Sequence, residues 1–130
     1  WISSDEVSVA NGGRVDFTHI VDTERTGDFY YLLGSLTGTL PGTPLPGGLH
    51  LPLNEDVLLI GMLTYPNLGV FEDTLGMVDA QGRASSAIDI PPGLLLPALI
   101  GLEMNLLHAL VDGTGYVVEV SNVVTVTIGA

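Results

Sequence analysis

Hydrophobic and polar residues alternate along much of this chain, in short runs that are separated by turn residues. Val7 and Val9 alternate with polar neighbours, and Val15 and Phe17 resume the alternation after residues 11–13, Asn-Gly-Gly. Alternation places every second side chain on one face of a strand, and Asn-Gly is typical of a tight hairpin turn. The start of the chain therefore predicts two short strands joined by a tight turn.

Later runs of the same kind predict further strands at residues 29–36, 57–65, 74–78, 84–90, 104–111 and 116–128. Residues 57–65 are apolar without alternation, which is typical of a strand buried on both faces. Pro97 and Gly101 interrupt segment 91–103, which predicts either a short helical turn near 94–100 or a buried connecting loop. Eight or nine strands at this spacing predict an all-β protein, an antiparallel β-sandwich of immunoglobulin-like type with at most that one helical turn.

Length and charge narrow the class of protein. The 130 residues predict one domain, 1–130, and the formal net charge is −12, with 15 acidic residues against three arginines. Nucleic acids and anionic lipid surfaces bind through cationic side chains, so neither is expected as a partner. No apolar run reaches the roughly 18–20 residues that span a bilayer, so membrane insertion is not expected either. The absence of cysteine excludes disulfides and thiolate chemistry.

The segment 34–56 is rich in turn residues, with five glycines and four prolines, yet it also carries six leucines. A flexible linker is polar and lies between domains, whereas this segment lies between two apolar runs. We therefore interpret it as an ordered crossover loop between two sheets, anchored by its leucines and ending in an acidic tip.

Six motifs follow one another in a characteristic order: YYLLGSLTGTLPG, LPLNED, PNLGVF, GMVDAQGRASSAIDIPPG, GLEMNLLHALVD and VSNVVTVTI. Their order resembles an uncharacterised β-rich module found, often at the C-terminal end, in large secreted proteins of planctomycete-type bacteria. The resemblance covers about residues 29–128, and Val78 and Val123 depart from it where the family has Leu and Pro. It implies an extracellular accessory module, secreted or at the cell surface, and offers no catalytic residues to transfer.

The residues that carry chemistry do not form a catalytic motif. His19, His50 and His108 lack the spacing of a metal-binding motif, and no serine lies in a G-x-S-x-G turn. We therefore predict a protein that is not an enzyme. Arg83 follows a glycine turn and is expected to form an ion pair with a neighbouring carboxylate such as Asp79.

Calcium is the one cofactor that the acidic loops suggest. Asn54, Glu55 and Asp56 follow one another in a loop, and oxygen ligands of this kind are those that calcium prefers. The alternative is that these acidic residues only keep the turns of an apolar protein soluble.

Two functions remain open. The first is a structural module that associates with itself, as a homo-oligomer or filament, or with neighbouring domains. Residues 1–10 form a short alternating strand with an aromatic end, and Trp1, Ile2, Val7 and Val9 are the candidate assembly residues. This strand either completes the sheet of a neighbouring copy or pairs within its own domain through the Asn-Gly hairpin. The second function is a ligand-binding accessory module, for a glycan or calcium, of a larger secreted protein.

Overall fold

Strands form most of the secondary structure of the chain, and the computed structural model describes residues 1–130. The expectation of an all-β protein is confirmed. The strands are β1 (Glu6–Ser8), β2 (Gly13–Ile20), β3 (Phe29–Ser35), β4 (Thr43–Pro44), β5 (His50–Leu51), β6 (Phe71–Glu72), β7 (Leu75–Met77), β8 (Arg83–Ile90), β9 (Glu103–Val111), β10 (Val117–Val120) and β11 (Val124–Gly129). Their number is eleven, above the expected eight or nine, because several are only two or three residues long.

The strands form two main sheets and a small hairpin. The large sheet has six strands in the order β1-β11-β9-β3-β7, with β10 also paired to β9. The small sheet has three strands in the order β2-β8-β6, and β4 pairs with β5. One pair is parallel, since Glu6–Ser8 of β1 run alongside residues 127–129 of β11. The expectation of an entirely antiparallel fold is therefore wrong at this pair, because the two strands lie at opposite ends of the chain and no hairpin connects them.

Both sheets contribute side chains to one hydrophobic core of 17 buried residues. Val15 and Phe17 of β2 are buried while Asp16 between them is only partly so, as the alternation predicts. From the large sheet, Leu32 and Leu106 are almost completely buried. Each side chain of this kind stabilises the folded state by about 1.5–3 kcal/mol when it is buried, so the contact between the two sheets holds the fold together.

Residues Val57–Thr64 form an α-helix, α1, so the prediction of a buried strand at 57–65 is wrong. An unalternated apolar run does not distinguish a buried strand from a buried helix. Asp56 caps the first turn with its side chain, and Pro66 follows shortly after the helix ends. These two local signals outweigh the apolar pattern.

Helix α1 also overturns the expectation of at most one short helical turn near 94–100. A 3-10 turn does occur there, at Pro97–Leu99, and a second lies at Thr23–Arg25. None of these helices has both the length and the apolar character that a membrane-crossing helix needs.

Helix α1 packs against β3 at Gly34. A Cβ atom at Gly34 would lie 2.8 Å from Cδ2 of Leu106, 3.1 Å from Cδ2 of Leu58 and 3.3 Å from Sδ of Met62. Only glycine therefore lets the helix and the neighbouring strand approach β3 this closely.

Candidate functional site

Asp56 joins the start of α1 to the end of β3. Its Oδ1 accepts hydrogen bonds from the backbone N–H groups of Leu58 and Leu59, at 3.0 and 3.1 Å. Its Oδ2 accepts four more from residues 35–37, two from hydroxyl groups and two from backbone N–H groups, at 2.7–3.0 Å. Asp56 is thus both the N-cap of the helix and the centre of a turn.

Asn54 holds the next part of the same loop. Its Oδ1 accepts from the N–H of Gly42 at 2.9 Å, and its Nδ2 donates to the carbonyl oxygens of Thr37 and Leu40 at 2.9 and 2.8 Å. Together, the hydrogen bonds of Asn54 and Asp56 join the LPLNED motif to the second half of the YYLLGSLTGTLPG motif. These two polar side chains of the LPLNED motif therefore hold loops in place.

The predicted calcium ligands do not converge. Asn54 faces the loop 37–42 and Asp56 faces β3 and α1, while Glu55 is exposed and lines a surface groove. Burial acts to raise the pKa of Asp56, but hydrogen bonds, of which the one from Leu59 is the largest, outweigh it and hold the pKa below its ordinary value. The structure gathers no group of three His, Asp or Glu side chains suited to a metal ion. Calcium binding by these three residues stays a prediction.

An apolar groove lies on the face of the large sheet that points away from the small sheet. Its volume is about 510 Å³, and ten of its 13 lining residues are hydrophobic. Strands β3, β9 and β10, the turn between β9 and β10, helix α1 with the loop before it, and the β4–β5 hairpin supply them: Tyr31, Leu33, Thr43, Leu45, Leu51, Glu55, Leu59, Ile60, Leu63, Ala109, Val111, Gly115 and Val117. Cavities of this size and character are typical of binding sites. Segment 34–56 leads from β3 through the β4–β5 hairpin to α1, which packs against β3, so the expectation of a crossover loop between the two sheets is wrong. The segment covers this outer face and places Leu51 and Leu53 in the core.

Helix α1 is apolar on all sides, which leaves part of it facing water. Leu59 and Met62 are buried, whereas Val57, Ile60 and Leu63 are exposed. A helix that is hydrophobic all round is normally buried, and a contiguous exposed apolar surface usually marks an interaction site. The outer side of α1 and the groove beside it are continuous, since Ile60 and Leu63 belong to both.

Residues 1–10 pair with the edges of both sheets in the same chain. Ile2 is bridged to Phe17 of the small sheet, and β1 runs along β11 of the large sheet. Of the predicted assembly residues, Val7 is in the core at 1% exposure, Ile2 and Val9 pack against it, and Trp1 is 72% exposed. The Asn-Gly turn does form, with Ser8 opposite Gly12, but the main partner of β1 is β11 and not β2.

A buried polar cluster lies between the two sheets. Nε2 of His108 is 2.8 Å from Oγ of Ser86, which donates its own proton to the carbonyl oxygen of Asp73 at 2.8 Å. Ser86 therefore accepts from His108, so this pair does not have the geometry of a serine nucleophile and its base. Burial, with the nearby His19, lowers the pKa of His108 to about 3. His19 stacks on His108, and its buried Nε2 makes no hydrogen bond, although Oε2 of Glu119 lies 3.5 Å away.

The three arginines differ in their surroundings. Arg14 forms ion pairs with Asp16, Glu72 and Asp89 on the outer face of the small sheet. Arg25 pairs with Asp28.

The side chain of Arg83 forms no ion pair. Asp79 accepts from the backbone N–H groups of Gln81 and Arg83 instead, each at 2.9 Å. The expected ion pair between Arg83 and Asp79 is therefore wrong, because the carboxylate is engaged with the backbone of the turn.

Comparisons of this chain with protein-family models, with curated proteins and with solved structures found no match.

Sequence reasoning missed the groove and the exposed side of α1. The signal for the helix is present in the chain, as an aspartate before eight mostly apolar residues and a proline just after them. The groove has no such signal, because its walls come from five separate segments of the chain.

Proposed function

We propose that this protein is a non-enzymatic structural module that associates with itself and assembles into a surface or fibre structure. The observation that carries the proposal is the outer side of α1, where Val57, Ile60 and Leu63 are exposed beside an apolar groove. A chain with net charge −12 is kept apart from its copies by repulsion, so apolar surface of this kind is the contact that can bring copies together.

We also propose that the fold is an immunoglobulin-like sandwich. In that fold one sheet contains strands B, E and D, and the other contains G, F and C, extended by C′. The orders β2-β8-β6 and β11-β9-β3-β7 support this assignment. Strand β6 precedes β7 in the chain, which departs from the usual order of D and C′, and α1 is an addition.

Addition of the N-terminal strand is the proposed mode of assembly. Residues 1–10 contact the edges of both sheets, and Val7 fills a place in the core. Gly12 and Gly13 follow, with φ angles of +70° and +156°, so the chain turns there in a conformation that glycine favours. The same edges and the same core position would accept residues 1–10 of a neighbouring copy.

Sedimentation velocity over a range of protein concentrations tests the proposal. The full chain is expected to associate, and a chain that lacks residues 1–10 is expected to associate far less. Since Val7 is buried, the truncated chain should regain thermal stability on addition of a peptide of residues 1–10, and the same peptide with Val7→Asp serves as control. If the truncated chain assembles as the full chain does, strand addition is wrong. If the full chain is monomeric throughout, self-association is wrong.

We further propose that the module is secreted or located at the bacterial cell surface. The motifs between residues 29 and 128 and the absence of cysteine support this location. Immunodetection of the protein in culture supernatant, in the cell envelope and in the cytoplasm of the source cells tests it.

A further inference from the structure

The outer face of the small sheet carries an exposed patch of apolar and cationic side chains at one end. The backbone of Trp1 is hydrogen-bonded in both directions to Thr18, and Ile20 lies opposite Arg83 in the register of β2 and β8. Trp1 and Ile20 are 72% and 70% exposed, and both line one depression with Arg83. We call these three residues, Trp1, Ile20 and Arg83, the knob.

The knob contains the one arginine that forms no ion pair. Arg14 and Arg25 are each paired with carboxylates, as described above, and the chain holds 15 acidic residues. A free cation beside exposed apolar side chains is therefore an exception on this surface. Tryptophan and arginine are also the residue types that most often dominate the energy of an interface.

The groove on the large sheet has the complementary character. Ten of its lining residues are hydrophobic, and Glu55 is its only charged residue. Its volume of about 510 Å³ is enough to take large side chains. The knob and the groove lie on opposite outer faces of the fold, so one molecule cannot bring its own knob into its own groove.

We propose that the knob of one copy binds in the groove of the next, with Trp1 and Ile20 against the apolar walls and Arg83 facing Glu55. This inference rests on the self-association proposed above and names its surfaces. Charge complementarity argues for a second copy as the occupant, because the free cation of the chain matches the single carboxylate of the groove. A contact between two different surfaces is heterologous, so it leads to open filaments or closed rings.

Charge reversal tests the pairing. Arg83→Glu and Glu55→Arg should each weaken association about tenfold, and the double variant, whose net charge equals that of the wild type, should regain most of it. Glu24→Arg has the same net charge as Glu55→Arg and lies on an exposed turn, so it is the matched control and should not weaken association. Trp1 is the single tryptophan, so its fluorescence should shift to shorter wavelength on assembly of the wild type.

Mixing two blocked variants tests the geometry. Ile20→Asp blocks the knob and Ile60→Asp blocks the groove; both positions are exposed, so both variants should fold, which circular dichroism checks. Each variant alone lacks this contact and should associate only as far as strand addition allows, and their mixture should add a 1:1 pairing through one knob and one groove that grows no further by this contact. Both residues lie outside residues 1–10, which separates this contact from strand addition.

The outcomes separate the two proposals. If the wild type assembles but the charge and aspartate variants assemble equally well, self-association stands and the contact between knob and groove is wrong. A mixture that associates no more strongly than either variant alone also overturns the contact. If the wild type does not assemble at all, both proposals fail.

Discussion

The buried His108 should make the stability of the fold depend on pH in a defined window. Its side chain is 3% exposed and contacts Ser86, Tyr30 and His19, with no carboxylate partner. Burial, with the nearby His19, lowers its pKa from 6.5 in the ordinary state to about 3 in the folded protein. The unfolded chain therefore binds a proton between these two values that the folded chain does not.

The sign and size of the effect follow from this difference. The neutral His108 gives its full contribution to stability above about pH 6.5, and that contribution is lost as the pH falls toward the folded-state pKa. With 1.36 kcal/mol for each pKa unit, the loss is about 2 kcal/mol between pH 8 and pH 5, and about 5 kcal/mol in total. A loss of about 2 kcal/mol is large against a typical stability of about 5–15 kcal/mol.

Urea unfolding at pH 8, 7, 6 and 5, followed by circular dichroism, measures this effect. His108→Gln keeps an N–H donor for Ser86 but cannot take up a proton, so its free energy of unfolding should fall by about 2 kcal/mol less than that of the wild type over this range. Titration of the carboxylates changes the free energy of unfolding of both proteins equally, so it cancels in the difference between them. His50→Gln, at an exposed position of β5, is the control for loss of a histidine. Equal pH dependence in the wild type and in His108→Gln would refute the reasoning.

Three further predictions concern α1 and its cap. Gly34→Ala should destabilise the protein by about 1–3 kcal/mol, because the new Cβ lies 2.8 Å from a neighbouring leucine side chain. Gly61→Ala, on the open side of the helix, should stabilise it by up to about 1 kcal/mol, because alanine favours the helix more than glycine does. Thermal unfolding of the two variants should therefore shift in opposite directions, and a shift of the same sign would contradict the packing of α1. Asp56→Ala should lower the free energy of unfolding in urea by about 2–3 kcal/mol, since it removes a helix cap and leaves buried donors without an acceptor. The adjacent Glu55→Ala is the control and should change this free energy by less than about 0.5 kcal/mol. For the predicted calcium site, calorimetric titration of the wild type should give a binding heat that Asp56→Ala lacks, and the absence of heat in the wild type would show the prediction to be wrong.

Most of the strands were predictable because their signal is local. In β2, the alternation of Val15 and Phe17 with polar neighbours reports directly which face is buried, and the structure agrees. For segment 91–103 the sequence left a short helical turn and a connecting loop both open, and the structure has a 3-10 turn at Pro97–Leu99. The direction of β1 was not predictable in this way, because its partner β11 lies more than a hundred residues later in the chain.

For the candidate site residues, too, the sequence shows the residue types but not the distant partners. Asn54 and Asp56 were recognisable as a polar pair in an acidic loop, but their partners are Gly42 and residues 35–37, which the fold brings to them. Their oxygen atoms predict calcium, which the titration above tests, but in sequence such atoms look alike whether they bind a cation or backbone N–H groups. Only the contacts distinguish the two.

The sequence by itself determined an all-β protein, several of its turns and its acidic character, since each of these depends on neighbouring residues or on composition. The tertiary structure decided that residues 57–64 are a helix, that β1 joins β11 in parallel, and that an apolar groove opens between α1 and the large sheet. These features depend on which distant segments pack together. In the sequence, an apolar residue that lies in the core looks the same as an apolar residue on an exposed surface that a neighbouring molecule can bind.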